Sequence, residues 1–146
     1  MLTGLILPTS GNAKIAGFEI KTEISKVHQR IGVCPQFSIL WKELTVQQHL
    51  EFFARLKGIE DEKNYVKKLM EDFGLYQFKD RMSKKLSGGM KRRLSVAIAV
   101  TGDPDVIFLD EPSTGMDPVC VFFFIIISFF FVYLKLNFFF FFFFHS

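Results

Sequence analysis

Apolar residues recur with a helical period over residues 45–74 and then give way to short unbroken runs elsewhere. Thr45 followed by Gln48 makes a T-x-x-Q capping box, the mark of a helix start. Val46, Leu50 and Phe53 then fall on one face, and Gly58 supplies a stop. A second helix is predicted from near Asp61, with Val66, Leu69, Met70 and Phe73 spaced at i, i+3, i+4 and i+7, ending at Gly74. Each of these amphipathic helices covers a core with one face. "IGVC" (31–34) and "VIFL" (106–109) show no such period. Continuous short apolar runs of this kind predict strands covered on both faces, as in a parallel sheet. The first leads into Pro35 and Gln36, and the second ends on Asp110 and Glu111. Between them a further helix is predicted from Ser87 to about Val100, with Leu94, Ala97 and Ile98 turned inward. The fold class is therefore α/β, with parallel core strands and an inserted helical unit over about residues 42–100.

Composition changes this picture at one boundary. The chain has 146 residues, enough for one domain, and its net charge of +3 gives no independent reason to propose nucleic acid. Cys34 and Cys120 stand outside any metal-ligand spacing, so reduced thiols are expected. Met1 to Leu7 lacks the basic opening of a secretory leader. Residues 1–118 carry charge throughout and 7 of the 20 phenylalanines, whereas residues 119–146 carry the other 13 and a single charged residue, Lys135. "VCVFFFIIISFFFVYL" (119–134) is a 16-residue apolar run, shorter than the roughly 20 residues of a spanning helix. Its residues are all Phe or one codon base from Phe, so it reads as translated T-rich non-coding DNA, with membrane insertion as the alternative. The tail, 119–146, is expected to lie outside the fold and to be β-prone.

The chemistry concentrates in two places. In "LSGGMKRR" (86–93), Ser87 is placed as an N-cap, and Gly88 and Gly89 let a ligand approach the backbone. First-turn amides and the helix dipole favour an anion there, and Lys91, Arg92 and Arg93 follow either as its cationic surround or as a solvated face. Asp110 and Glu111, at the carboxyl end of an apolar strand, stand where parallel sheets gather their ligands. One carboxylate of such a pair can hold magnesium and the next can polarise a water; two solvated acids are the plainer reading.

Taken together, "LSGGMKRRLSVAIAVTGDPDVIFLDEPSTGMDP" (86–118) resembles the signature, Walker B strand and D-loop of the ABC transporter ATPase domain, a P-loop ATPase fold. "VCPQFSILWKELTVQQHL" (33–50) resembles that family's Q-loop and the entry to its helical subdomain. The wording is most similar to the A subfamily, whose members move lipids. The resemblance covers residues 1–118 and implies these roles. Gln36 senses magnesium and the attacking water, and reports to the membrane domain. Ser87, Gly88 and Gly89 grip the γ-phosphate of ATP held by an opposite ATPase domain. Asp110 holds magnesium, Glu111 is the catalytic base, and Asp117 bridges the two domains. The implied cofactors are ATP and Mg2+. The implied partners are a second ATPase domain and the transmembrane domains, with no nucleic acid, and the implied location is the cytoplasmic face of a membrane.

The sequence contains no G-x-x-x-x-G-K-[ST]; in "SGNAKI" (10–15), the lysine has neither the preceding glycine nor the following Ser or Thr. Nor does a switch histidine follow the D-loop, and His28, His49 and His145 take no role. The expectation is thus a fragment, truncated at both ends, that is inactive alone as an ATPase. The alternatives are a non-catalytic module docking on an intact ATPase domain and a non-functional gene product. The chromosome-maintenance ATPases share a similar signature, but Leu86 comes only 50 positions after Gln36, and long coiled coils are absent from that stretch.

Overall fold

The computed structural model describes residues 3, 4, 6 and 9–110, together with the backbone of 139–143. Glu111, Asp117 and the 119–134 run lie outside the described residues. The chain opens with a small antiparallel hairpin, β1 (Lys14–Ile15) and β2 (Phe18–Glu19). Its turn residues Ala16 and Gly17 both adopt positive φ, 51° and 85°, as a two-residue hairpin of this hand requires. Helix α1 (Ile24–Arg30) follows and runs directly into β3 (Ile31–Cys34).

β3 pairs in parallel with β4 (Val106–Asp110), with Ile31 opposite Val106 and Cys34 opposite Leu109. Parallel neighbours need a long crossover. Here the crossover holds the helical unit: α2 (Val46–Leu56), α3 (Glu62–Asp72) and α4 (Gly88–Val100). α2 begins with the expected box, since Thr45 Oγ1 accepts from the Gln48 amide and the Gln48 side chain accepts from the Thr45 amide. Gly58 and Gly74 take φ of 71° and 62°, the left-handed stop expected of them. Residues 79–85 return antiparallel to 42–47, with bonds from Val46 N–H to the Arg81 carbonyl and from Ser83 N–H to the Leu44 carbonyl. That returning segment, which ends in a 3-10 turn at Ser83–Lys85, closes the helical unit.

One core joins Val46, Leu50 and Ala54 of α2 to Val66, Leu69 and Met70 of α3, and continues through α4 to Ile107 and Leu109. Two expectations about faces change. Phe53 is only partly buried and sits beside Trp41 and Phe52, while His49 and Ala54 complete the buried stripe of α2. α4 is buried on most of its circumference, including Arg92, Ser95, Val96 and Ala99, because it lies between the sheet and α2. In β3, Val33 remains 39% exposed, so that strand is covered less completely than its apolar run suggests.

The tail also departs from expectation over five residues. Phe139–Phe143 forms β5, parallel to β4, with Phe141 opposite Phe108. The order is β3-β4-β5, which leaves β4 central. The physical reason is the second edge of β4: its ladder groups need partners, and a β-prone run without Pro or Gly can supply them. Among the described residues, no helix is long and apolar enough to cross a membrane.

His49 is fully buried in α2, with Nδ1 donating to the Thr45 carbonyl at 2.7 Å and Nε2 accepting from the Trp41 amide at 3.0 Å. Those partners require a neutral ring, and burial holds its pKa below the ordinary histidine value, against a smaller opposing pull from the Thr45 carbonyl. A folded pKa below the unfolded one means that protonation favours the unfolded chain. Its stabilisation is complete above the unfolded pKa near 6.5 and is lost as pH falls through and below that value. Chemical denaturation between about pH 7.5 and about pH 5.5 should therefore show a falling midpoint that His49→Gln flattens. An equal fall in His49→Gln would assign the effect to other groups.

Candidate functional site

The carboxyl ends of β3 and β4 lie side by side because Cys34 pairs with Leu109. Pro35 and Gln36 leave one strand where Asp110 ends the other, and α4 packs against β3. The structure thus brings Gln36 and Asp110 together. The link between them is a residue to which sequence reasoning gave no specific role, Arg92 of α4. Its side chain is 3% exposed. Nη1 donates to the carbonyls of Pro35 and, at 3.1 Å, Gln36, while Nη2 donates to the Asp110 carbonyl at 2.8 Å. This corrects the reading of residues 91–93 as one cationic surface. Arg92 faces inward to strand ends, while Lys91 and Arg93 are half-buried. Three cations in a row look solvated until the carbonyls they meet are known, and those come from residues 56 and 18 positions away.

Ser87 caps α4 as expected: its backbone is extended, and its side-chain oxygen accepts from the Met90 amide at 3.3 Å. The Lys91 amide bonds to the Ser87 carbonyl at 2.9 Å. Helix geometry therefore leaves the Gly88 and Gly89 amides without an intrahelical acceptor. Ser87 and Gly88 are exposed and Gly89 is half-buried. The Ser87 oxygen accepts from Met90, so its own O–H stays available to donate. The result is a short run of donors at the positive end of a 13-residue helix, where Gly88 and Gly89 carry no side chain of their own. Gly88 and Arg92 are one turn apart, about 6 Å along the axis.

Asp110 is exposed, and Gln36 is half-buried. Among the described residues no group of three His, Cys, Asp or Glu stands ready to hold a metal. Cys34, fully buried next to this point, takes no part: burial pushes its thiol up to about 11, with Arg92 pulling it down and Asp110 pushing it up. Glu111 and Asp117 lie outside the described residues, so the site described consists of Gln36, Ser87, Gly88, Gly89 and Asp110, with Arg92 added.

Comparison with known proteins bears on the same residues. Residues 1–114 match the model of the family described as ABC transporter. The chain is 49% identical over 118 residues to ABC transporter A family member 9 of Dictyostelium discoideum, covering 80% of this chain and 14% of that protein. It is 46% identical over 120 residues to the human retinal-specific phospholipid-transporting ATPase ABCA4, covering 81% of this chain and 5% of that one. It is also 46% identical over 121 residues to the phospholipid-transporting ATPase ABCA3 of Rattus norvegicus, with coverage of 82% and 7%. The chain therefore spans only a small part of the length of these relatives.

Proposed function

Since the chain belongs to the ABC transporter family, we propose that it supplies the signature side of an ATP site in an A-subfamily transporter that moves lipid across a membrane. The observation that carries the reading is the capped start of α4, where Ser87 and Gly88 are exposed, Gly89 is half-buried, and the first-turn amides have no intrahelical acceptor. Those donors fit a terminal phosphate, and a second ATPase domain would bring it to them. Asp110, with Gln36 beside it, would hold magnesium through carboxylate and amide oxygens. Magnesium held there would neutralise the charge that develops on the phosphate oxygens as the bond from the γ-phosphorus to its bridging oxygen breaks. Glu111 would take the proton of the attacking water, and Asp117 would bridge the paired domains. The exposed Phe37, Ile39, Trp41 and Phe52 at the entry to the helical unit are an apolar surface on which the transmembrane domains would dock, and in this reading the work is done at the cytoplasmic face.

A second reading rests on a specific sequence fact: no G-x-x-x-x-G-K-[ST] occurs in the 146 residues. Phosphoryl transfer depends on positioning and charge neutralisation by that loop. By itself this polypeptide is then a docking partner for another domain's nucleotide and not a catalyst. Purified alone, it should hydrolyse no ATP above background with magnesium present. Turnover that disappears in Glu111→Gln would overturn that expectation.

A further inference from the structure

A buried guanidinium is a large commitment for a fold, because the desolvated charge must find donors' partners in full. Arg92 finds them on backbone carbonyls from two separate segments: Pro35 and Gln36 after β3, and Asp110 at the end of β4. These are the segments that carry Gln36 and the Asp110 carboxylate, and Arg92 itself rides on the helix that begins with Ser87, Gly88 and Gly89. The Cys34 thiol lies 4.0 Å from the same Pro35 carbonyl, so it reports on this spot. We infer that Arg92 is a positioning residue that ties the Gln36 turn and the end of β4 to the glycine-bearing helix, so that both groups of site residues keep one fixed relation.

Only a planar fork suits this task. Arginine directs several N–H groups in fixed directions, whereas a lysine ammonium is a point charge on a flexible stem. Charge-assisted bonds are also about twice as strong as neutral ones. A displacement of the Gln36 turn is therefore felt at α4 one turn from its donors, and the reverse holds equally. The functional weight of this link rests on the reading proposed above; the link itself does not.

Cys34 provides the test, in the full 146-residue chain with Cys120→Ser to leave one thiol. A clamp and a mere charge predict different outcomes. Arg92→Lys keeps the charge and loses only the planar fork, so a mere charge predicts unchanged labelling by a small alkylating reagent. Loss of the clamp frees the 34–36 turn and makes it faster. We expect labelling at least about tenfold faster in both Arg92→Lys and Arg92→Met, with α2 and α3 amides keeping their parental hydrogen exchange. Rates equal to or below the parent's would overturn the inference. If either variant loses α2 and α3 protection, the parent chain decides by NMR. Separate, slowly exchanging Arg92 Nη protons are expected, and a single rapidly exchanging average would overturn the clamp. Failure of the parent to associate with an ATP-loaded ATPase domain would count against the proposed function and leave the labelling result standing.

Discussion

Gly32→Ala is expected to force α4 off the sheet and to destabilise the chain by about 3 kcal/mol or more, the upper end for overpacking. A Cβ at Gly32 would lie 1.9 Å from the Ala99 carbonyl oxygen, 2.9 Å from its carbon and 3.2 Å from Pro104 Cγ. The first two are backbone atoms, which no rotamer change can move aside. The φ of Gly32 is not among the positive values, so the demand is for space and not for glycine's conformational freedom. α4 would have to retreat from β3, and the Arg92 bonds to Gln36 and Asp110 would lengthen with it. Thermal or urea unfolding of parent and variant measures the loss, and hydrogen exchange at β3 and β4 amides locates it. A Gly32→Ala chain that melts within a degree or two of the parent would show that this contact is loose.

Gly88→Asp should have the opposite profile, with folding kept and phosphate engagement lost. A carboxylate in the first turn suits the helix dipole by about 0.3–1 kcal/mol and replaces a poor helix former. Toward an anionic phosphate the same group is repulsive, by about 4 kcal/mol at contact distance near a protein surface. That corresponds to a loss of roughly three orders of magnitude in association. The measurement uses a chimera in which a phosphate loop is restored ahead of this sequence and a family-like segment replaces the tail. ATP-dependent dimerisation should fail in Gly88→Asp while nucleotide binding by the restored loop survives. Dimerisation equal to the parent's would reduce "LSGGMKRR" to the start of an ordinary surface helix.

Local signals were readable from the residues, and contacts between distant segments were not. The Thr45–Gln48 box, the stops at Gly58 and Gly74, and the Ser87 cap each depend on a few neighbouring residues, and all appear as expected. The strands at 31–34 and 106–109 could be read from unbroken apolar runs, which also pointed to a parallel sheet, and the structure extends the second through Asp110. The β1–β2 hairpin was missed because its strands are two residues each and Ala16, not Asn or Asp, takes the first turn position. α1 gave only seven residues and no capping bond to announce it. Gly32 inside an apolar strand was an available signal of close backbone approach. Arg92 and His49 had none, since their roles are set by carbonyls and amides that only the tertiary fold brings to them. Of the site, Gln36, Ser87, Gly88, Gly89 and Asp110 were named from sequence with the help of a family resemblance. Their mutual support through Arg92 was visible only in the structure.

In the proposed function the start of α4 serves a nucleotide presented by another domain. Sedimentation of the unaltered chain with an intact A-subfamily ATPase domain, its catalytic glutamate replaced by glutamine to preserve ATP, tests this most directly. A complex should form with ATP and magnesium, dissolve with ADP, and be absent when Gly88→Asp replaces the parent. Association of equal strength with ATP, with ADP and without nucleotide would contradict it, as would no association under any of the three conditions.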